Sequence, residues 1–185
     1  MKKNKKENDV WIYALLLTTL SILVESLKTY TFKVAGVELT YSLFLLPLLY
    51  FLINIIAKKY DYKRSVASIA ISGVVFVSFS FIIAYLIDGN YILRSLSGEF
   101  CAYVLSAFVN LTIYMFLLNN TESPRILIII NYLFSLIVYY MVYTLLCLNM
   151  VMFDNYWLGY FVTLGIQLVI SIVLSIIDKK IPRGE

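Results

Sequence analysis

Six charge-poor apolar stretches, each about as long as a bilayer is thick, divide this chain of 185 residues and leave little room for anything else. Val66–Ile87 and Tyr156–Ile177 carry no charge from end to end. In hydrocarbon every backbone N–H and C=O must be bonded within its own segment, so runs of roughly 17–25 apolar residues read as transmembrane helices. The predicted spans are Val10–Leu27, Tyr41–Ala57, Val66–Ile87, Phe100–Leu118, Ile126–Leu148 and Tyr156–Ile177. The expected fold is an all-α integral membrane protein, a bundle of six transmembrane helices. A basic tail (1–9) precedes a single membrane domain (10–177), and a second short tail (178–185) follows it. The loops are too short to hold a soluble catalytic domain.

Orientation follows from the placement of Lys and Arg, which accumulate on the cytoplasmic side of membrane proteins. Lys2, Lys3, Lys5 and Lys6, then Lys58, Lys59, Lys63 and Arg64, then Arg125, and finally Lys179, Lys180 and Arg183 alternate with loops that hold only Lys28, Lys33 and Arg94. Both termini are therefore expected in the cytoplasm. The formal net charge of +4 reads as this topology signal, facing lipid headgroups, and makes no case for nucleic acid. The first span ends in Glu25-Ser26-Leu27-Lys28 without a small-x-small cleavage site, so it reads as a retained helix rather than a signal peptide. Trp11 and Tyr13 at one end of that helix, and Tyr156 and Trp157 at the start of the sixth, suit interfacial aromatic belts.

The chemistry absent from the chain narrows its function. There is no histidine, and Cys101 and Cys147 lie apart within apolar segments, so they read as small core residues rather than a disulfide, redox pair or metal site. No glycine-rich phosphate loop, nucleophile elbow or paired intramembrane carboxylates occur. No cofactor is expected, and no enzyme. Glu25, Asp88, Glu99 and Asp154 all fall at or beyond the outer ends of predicted helices, so no acid is expected at mid-membrane, where proton relays usually lie.

What remains is uncharged and polar, at helical spacing. Ser42, Tyr50 and Asn54 share a face of the second helix, beside Pro47; Tyr103, Ser106, Asn110 and Tyr114 share one of the fourth. The fifth carries Asn131, Ser135, Tyr139 and Tyr143, and the sixth Tyr160, Thr163, Gln167, Ser171 and Ser175. Any single Ser or Tyr reads first as glue between helices, at about 0.6 kcal/mol per bond. Four amides on four helices, Asn54, Asn110, Asn131 and Gln167, instead imply a shared polar interior. Interleaved with tyrosines, they suit a planar, neutral, hydrogen-bonding solute: amides pair with donor–acceptor edges, and Tyr50 and Tyr103 offer stacking faces. Pro47 reads either as a structural kink or as a break lining the solute path. Tyr30–Tyr41 alternates around Gly36 and reads either as a short outer hairpin or as an irregular turn.

Pro47-Leu-Leu-Tyr50, Asn54 and the following Tyr60-Asp61-Tyr62-Lys63-Arg64 resemble the VUT family of bacterial queuosine precursor transporters. Ala102-Tyr103, Ser106 and Asn110 in the fourth helix, and Asn131, Ser135 and Thr144 in the fifth, fit the same resemblance, which covers most of the chain from about Ser26. It implies a multi-pass protein of the bacterial cytoplasmic (inner) membrane that imports 7-deazaguanine precursors of queuosine. The chain departs from the pattern systematically. The family's intramembrane acids correspond to Asn54, Asn110 and Tyr143, its acid after the second helix to Lys58, a Lys of the sixth to Gln167, and the glycine of its Tyr-Gly to Asp61.

The leading expectation is thus an importer of a small planar polar solute, with Tyr50, Asn54, Tyr103, Asn110, Asn131 and Gln167 as its binding residues. Its expected partners are the lipid bilayer and the solute, and a homodimer or a membrane partner remains open. The alternatives are a substrate-binding component of an energy-coupling-factor importer and a non-transporting accessory membrane subunit. The first helix, Trp11-Ile-Tyr-Ala-Leu-Leu-Leu-Thr, has a single Ala where such components usually show Ala-x-x-x-Ala.

Overall fold

The structure is a computed structural model and describes residues 2–27, 30–34, 36–87, 89–120, 125–147 and 156–183. Lys28, Asp88, Leu148 and Asp154, and the side chains of Arg94, Cys147, Tyr156 and Trp157, lie outside the described residues. The helices are α1 (Lys2–Leu27), α2 (Leu46–Lys59), α3 (Tyr62–Ile87), α4 (Gly89–Asn119), α5 (Arg125–Cys147) and α6 (Tyr156–Lys180). Among the described residues, six segments are long and apolar enough to cross a membrane: Val10–Leu27, Tyr41–Lys59, Tyr62–Phe79, Gly98–Asn119, Arg125–Leu146 and Leu158–Lys180.

The bundle is apolar outside and polar within. Leu15, Val74, Phe116, Ile130 and Phe161 are exposed, while Ser65, Asn54, Asn110, Asn131 and Gln167 are fully buried. Water would not tolerate that surface, but lipid does, because between apolar helices packing and polar bonds drive association. The core combines Leu17, Leu49, Ile53, Ile56, Leu111 and Leu136 with the buried rings of Tyr50, Tyr103, Tyr114 and Tyr132.

Three elements differ from the expected helices. The second span is not one helix: a 3-10 turn, η1 (Tyr41–Phe44), leads through Leu45 into α2, which is only 14 residues long. At about 1.5 Å per residue, α2 alone falls short of the hydrocarbon thickness, and η1 completes the span. Pro47 sits in the first turn of α2, where its missing N–H breaks no helical bond; it starts the helix rather than kinking it. Ser42 accordingly lies in η1, off the α2 stripe, and shares a 2.7 Å bond with Thr40. Glu99 does not stand at a helix end, because α4 begins at Gly89; it lies inside that helix, 6% exposed. At the opposite end of the span, α6 continues to Lys180, so Asp178 belongs to the helix.

Between α1 and η1 the chain forms the hairpin. Strands β1 (Thr31–Val34) and β2 (Val37–Thr40) pair antiparallel, with Lys33 opposite Glu38. Gly36 takes φ +80°, a left-handed conformation that glycine adopts without steric cost. The hairpin buries Val37 and Leu39 against Leu43, Val162 and Ile166, so it lies on the first half of α6. The other end of the bundle gathers the cations: Lys59 of α2 donates to the Tyr13 hydroxyl of α1 (2.7 Å), and Lys58 reaches Asp178 of α6. Asp61 caps α3 by accepting the Arg64 N–H at 2.7 Å. The described residues thus separate a hairpin end from a basic end.

Candidate functional site

The amide stripes of α2, α4 and α5 converge. Asn110 Nδ2 donates to Asn54 Oδ1 at 2.7 Å, and Asn131 Nδ2 donates to Asn110 Oδ1 at 2.9 Å, forming a three-helix chain of fully buried amides. Nδ2 of Asn110 also lies 3.5 Å from the Tyr50 carbonyl, and Nδ2 of Asn131 lies 3.3 Å from the Asn110 carbonyl. Spacing explains the meeting: Tyr50 and Asn54 are one turn apart on α2, as are Ser106 and Asn110 on α4. The Tyr50 hydroxyl accordingly donates to Ser106 Oγ at 2.8 Å, one turn along from the amide pair.

The chain of amides leaves capacity unused. Asn131 Oδ1 has no hydrogen-bond partner, while Asn54 Nδ2 and the buried hydroxyl of Tyr132 lie beside each other and bond to no other group. Buried polar atoms are normally bonded, and each one left open costs about 1–3 kcal/mol.

Gln167 and Tyr103 are held separately. Gln167 Nε2 donates to the Leu43 carbonyl of η1 at 3.1 Å and to the Tyr140 hydroxyl at 2.9 Å, while its Oε1 is buried without a partner. It therefore ties α6 to the turn beneath the hairpin and to α5. Tyr103 turns toward α3, where its hydroxyl shares a 2.6 Å bond with Ser72 Oγ. A cavity of about 10 Å³ beside it, lined by Ser21, Val24, Leu46, Leu49, Phe76 and Tyr139, has room for one water. Of the six expected binding residues, then, Tyr50, Asn54, Asn110 and Asn131 form one cluster, with Gln167 and Tyr103 in two contacts of their own. Of the remaining stripe residues, Ser135, Tyr139, Thr163, Ser171 and Ser175 are buried as well, while Tyr143 and Tyr160 are half-buried.

Two features escape a reading of the sequence. Ser65, Ser68 and Ser72 of α3 form a fully buried stripe of small residues, announced only by helical spacing. The second is ionic. Asp178 is completely buried; Tyr114 of α4 donates its hydroxyl to both carboxylate oxygens, at 2.8 and 2.9 Å, and Lys58 Nζ lies 3.6 Å from Oδ1 while donating to the Asp178 carbonyl. Asp178 reads in the sequence as a solvated residue of the basic tail. Among the described residues no group of His, Cys, Asp and Glu is arranged to hold a metal ion, and Cys101 is a free thiol.

Comparison of the chain with known protein families, with curated proteins and with solved structures finds no match.

Proposed function

We propose that this protein is a membrane importer for a small, planar, polar solute, with both termini in the cytoplasm of a bacterial cell and the site within the amide seam. The observation that carries the reading is the set of buried polar atoms that the seam does not close: the acceptors Asn131 Oδ1 and Gln167 Oε1, and the Asn54 Nδ2 donor, which has only the Tyr132 hydroxyl beside it. A seam that served only to join helices would be expected to close its bonds, whereas a site waiting for an amide-like edge keeps a donor and acceptors open. The local resemblance to queuosine precursor transporters makes a 7-deazaguanine the first solute to try, since such a ring offers both donor and acceptor edges. Alternating access suits the paired ends of the bundle: Gln167 and the hairpin close one, and the Lys58–Asp178 pair closes the other.

The test is the queuosine content of tRNA in a bacterium that can neither make nor import the precursors, complemented with this gene and fed a low concentration of deazaguanine. Restored modification, lost again in the N54L/N131L/Q167L variant although that protein reaches the membrane, is the expected result. No restoration by the parent protein, shown to be in the membrane, overturns the queuosine assignment. Two observations favour a second reading, a non-transporting accessory subunit: three of the amides bond one another, and the cavity beside Tyr103 admits no more than a water. Tight co-purification with a membrane partner, together with no stabilisation by any solute, would favour it.

A further inference from the structure

The ionic cluster and the amide chain are adjacent layers of one seam. Lys58 follows Asn54 by one helical turn on α2, and Tyr114 follows Asn110 by one turn on α4, so the same two helix faces carry amides in one layer and charge in the next, about 6 Å along. Tyr132 joins them, since its hydroxyl lies beside Asn54 and within the field of the Asp178 carboxylate. The groups that face Asp178 are Lys58 from α2, Tyr114 from α4 and Tyr132 from α5; Lys179 and Lys180, its neighbours on α6, are exposed, and Arg183 lies near Tyr114. Among the described residues, Leu117 of α4 and Ile128 of α5 lie one turn further toward the basic end and are still buried, and beyond them Asn119, Asn120 and Arg125 are exposed. The cluster thus closes the basic end of the seam.

Stability does not account for it. Burying two charges costs several kcal/mol of hydration per ion, and replacing such a pair with apolar residues is often neutral or stabilising. Ionisable groups buried in a span usually mark the path of an ion or a substrate. Lys58 has a side-chain exposure of 9% against 0% for Asp178, so the cation stands on the outer side of the pair and the carboxylate on the inner.

We infer that Asp178 is a proton-binding site that gates the basic end of the seam, a proton and the Lys58 ammonium competing for its carboxylate. The inference rests on the transport reading only in assigning the proton as the coupling ion. When the carboxylate takes a proton from water it becomes a neutral acid and Lys58 remains an ammonium. The attraction that draws the C-terminal ends of α2 and α6 together is then lost, and Lys58 rehydrates as they part. In the opened arrangement Lys58 withdraws to water while Asp178 stays buried against the Tyr114 hydroxyl, and a buried carboxylate without its cation is stabilised by taking a proton; opening thus takes up one proton and is favoured as pH falls, and closing returns it to water.

The experiment uses the full-length protein in nanodiscs, in a C101A/C147A background, with A57C as reporter. Ala57 is buried in α2 next to Lys58, so a water-soluble maleimide reaches that position when the basic end opens. Its labelling rate is divided by that of K180C, an exposed position, to remove the effect of pH on thiol ionisation. The expected ratio rises as pH is lowered from 8 to 6, by up to about tenfold per unit for one proton taken up. D178N and K58M should label fast at both pH values, with no slope, and D178E should restore the slope. A flat ratio in the reporter protein itself, which needs no change at position 178, overturns the proposal even if D178N fails to fold. An undiminished slope in D178N overturns it as well. No solute enters this measurement, so a slope that depends on Asp178 supports the gate even where uptake is absent and the transport reading fails.

Discussion

Asn110 is the hub of the seam because its side chain both donates to Asn54 and accepts from Asn131. Removing it breaks both amide–amide bonds, while changing either neighbour breaks one of them. At about 0.6 kcal/mol per bond between membrane helices, N110L should lose roughly 1–2 kcal/mol of stability and N54L or N131L about half as much. Thermal denaturation of the purified proteins in one detergent checks the order, and an N110L no less stable than N54L would contradict the chain of bonds. Asp61 offers a simpler case. Its side chain holds the first turn of α3, so D61A should cost about 1 kcal/mol. The same melts would show it. Asp61 thus has a local structural task.

Two proline and glycine positions set the geometry of whole elements. Pro47 lies in the first turn of α2, so P47A should leave stability within about 0.5 kcal/mol of the parent, whereas a proline that kinked a helix would change it by more. Gly159 is where the hairpin seats on α6: a Cβ there would come within 3.0 Å of Val37 Cγ1. G159L should lift the hairpin and cost about 1–3 kcal/mol, seen as faster proteolysis between β1 and β2. Where the helices lie was legible in the sequence because hydrocarbon admits few alternatives, and the stripes of α4, α5 and α6 were legible because 3.6-residue spacing decides which residues meet. The break at Leu45 was not, since an apolar run such as Tyr41–Phe44 looks alike whether it winds as 3-10 or α. Nor was the burial of Asp178. A carboxylate beside two lysines at the end of a span looks solvated until α2 and α4 are known to pack over it.

For the molecule as a whole, the hairpin end and the basic end are the two faces that a membrane would separate. An impermeant thiol reagent added to intact cells should label K33C in the hairpin and spare K180C; the reverse pattern would turn the proposed orientation over. Both substitutions fall on sites that bear no part of the seam. The amide chain also bears on how such a protein is made. Each buried asparagine is a burden to a helix entering lipid alone, yet Asn110 and Asn131 sit on consecutive helices and answer each other. Helices α4 and α5 can therefore enter lipid as a matched pair, each answering the other's amide, and dock on Asn54 of α2, which the order of the chain has already delivered.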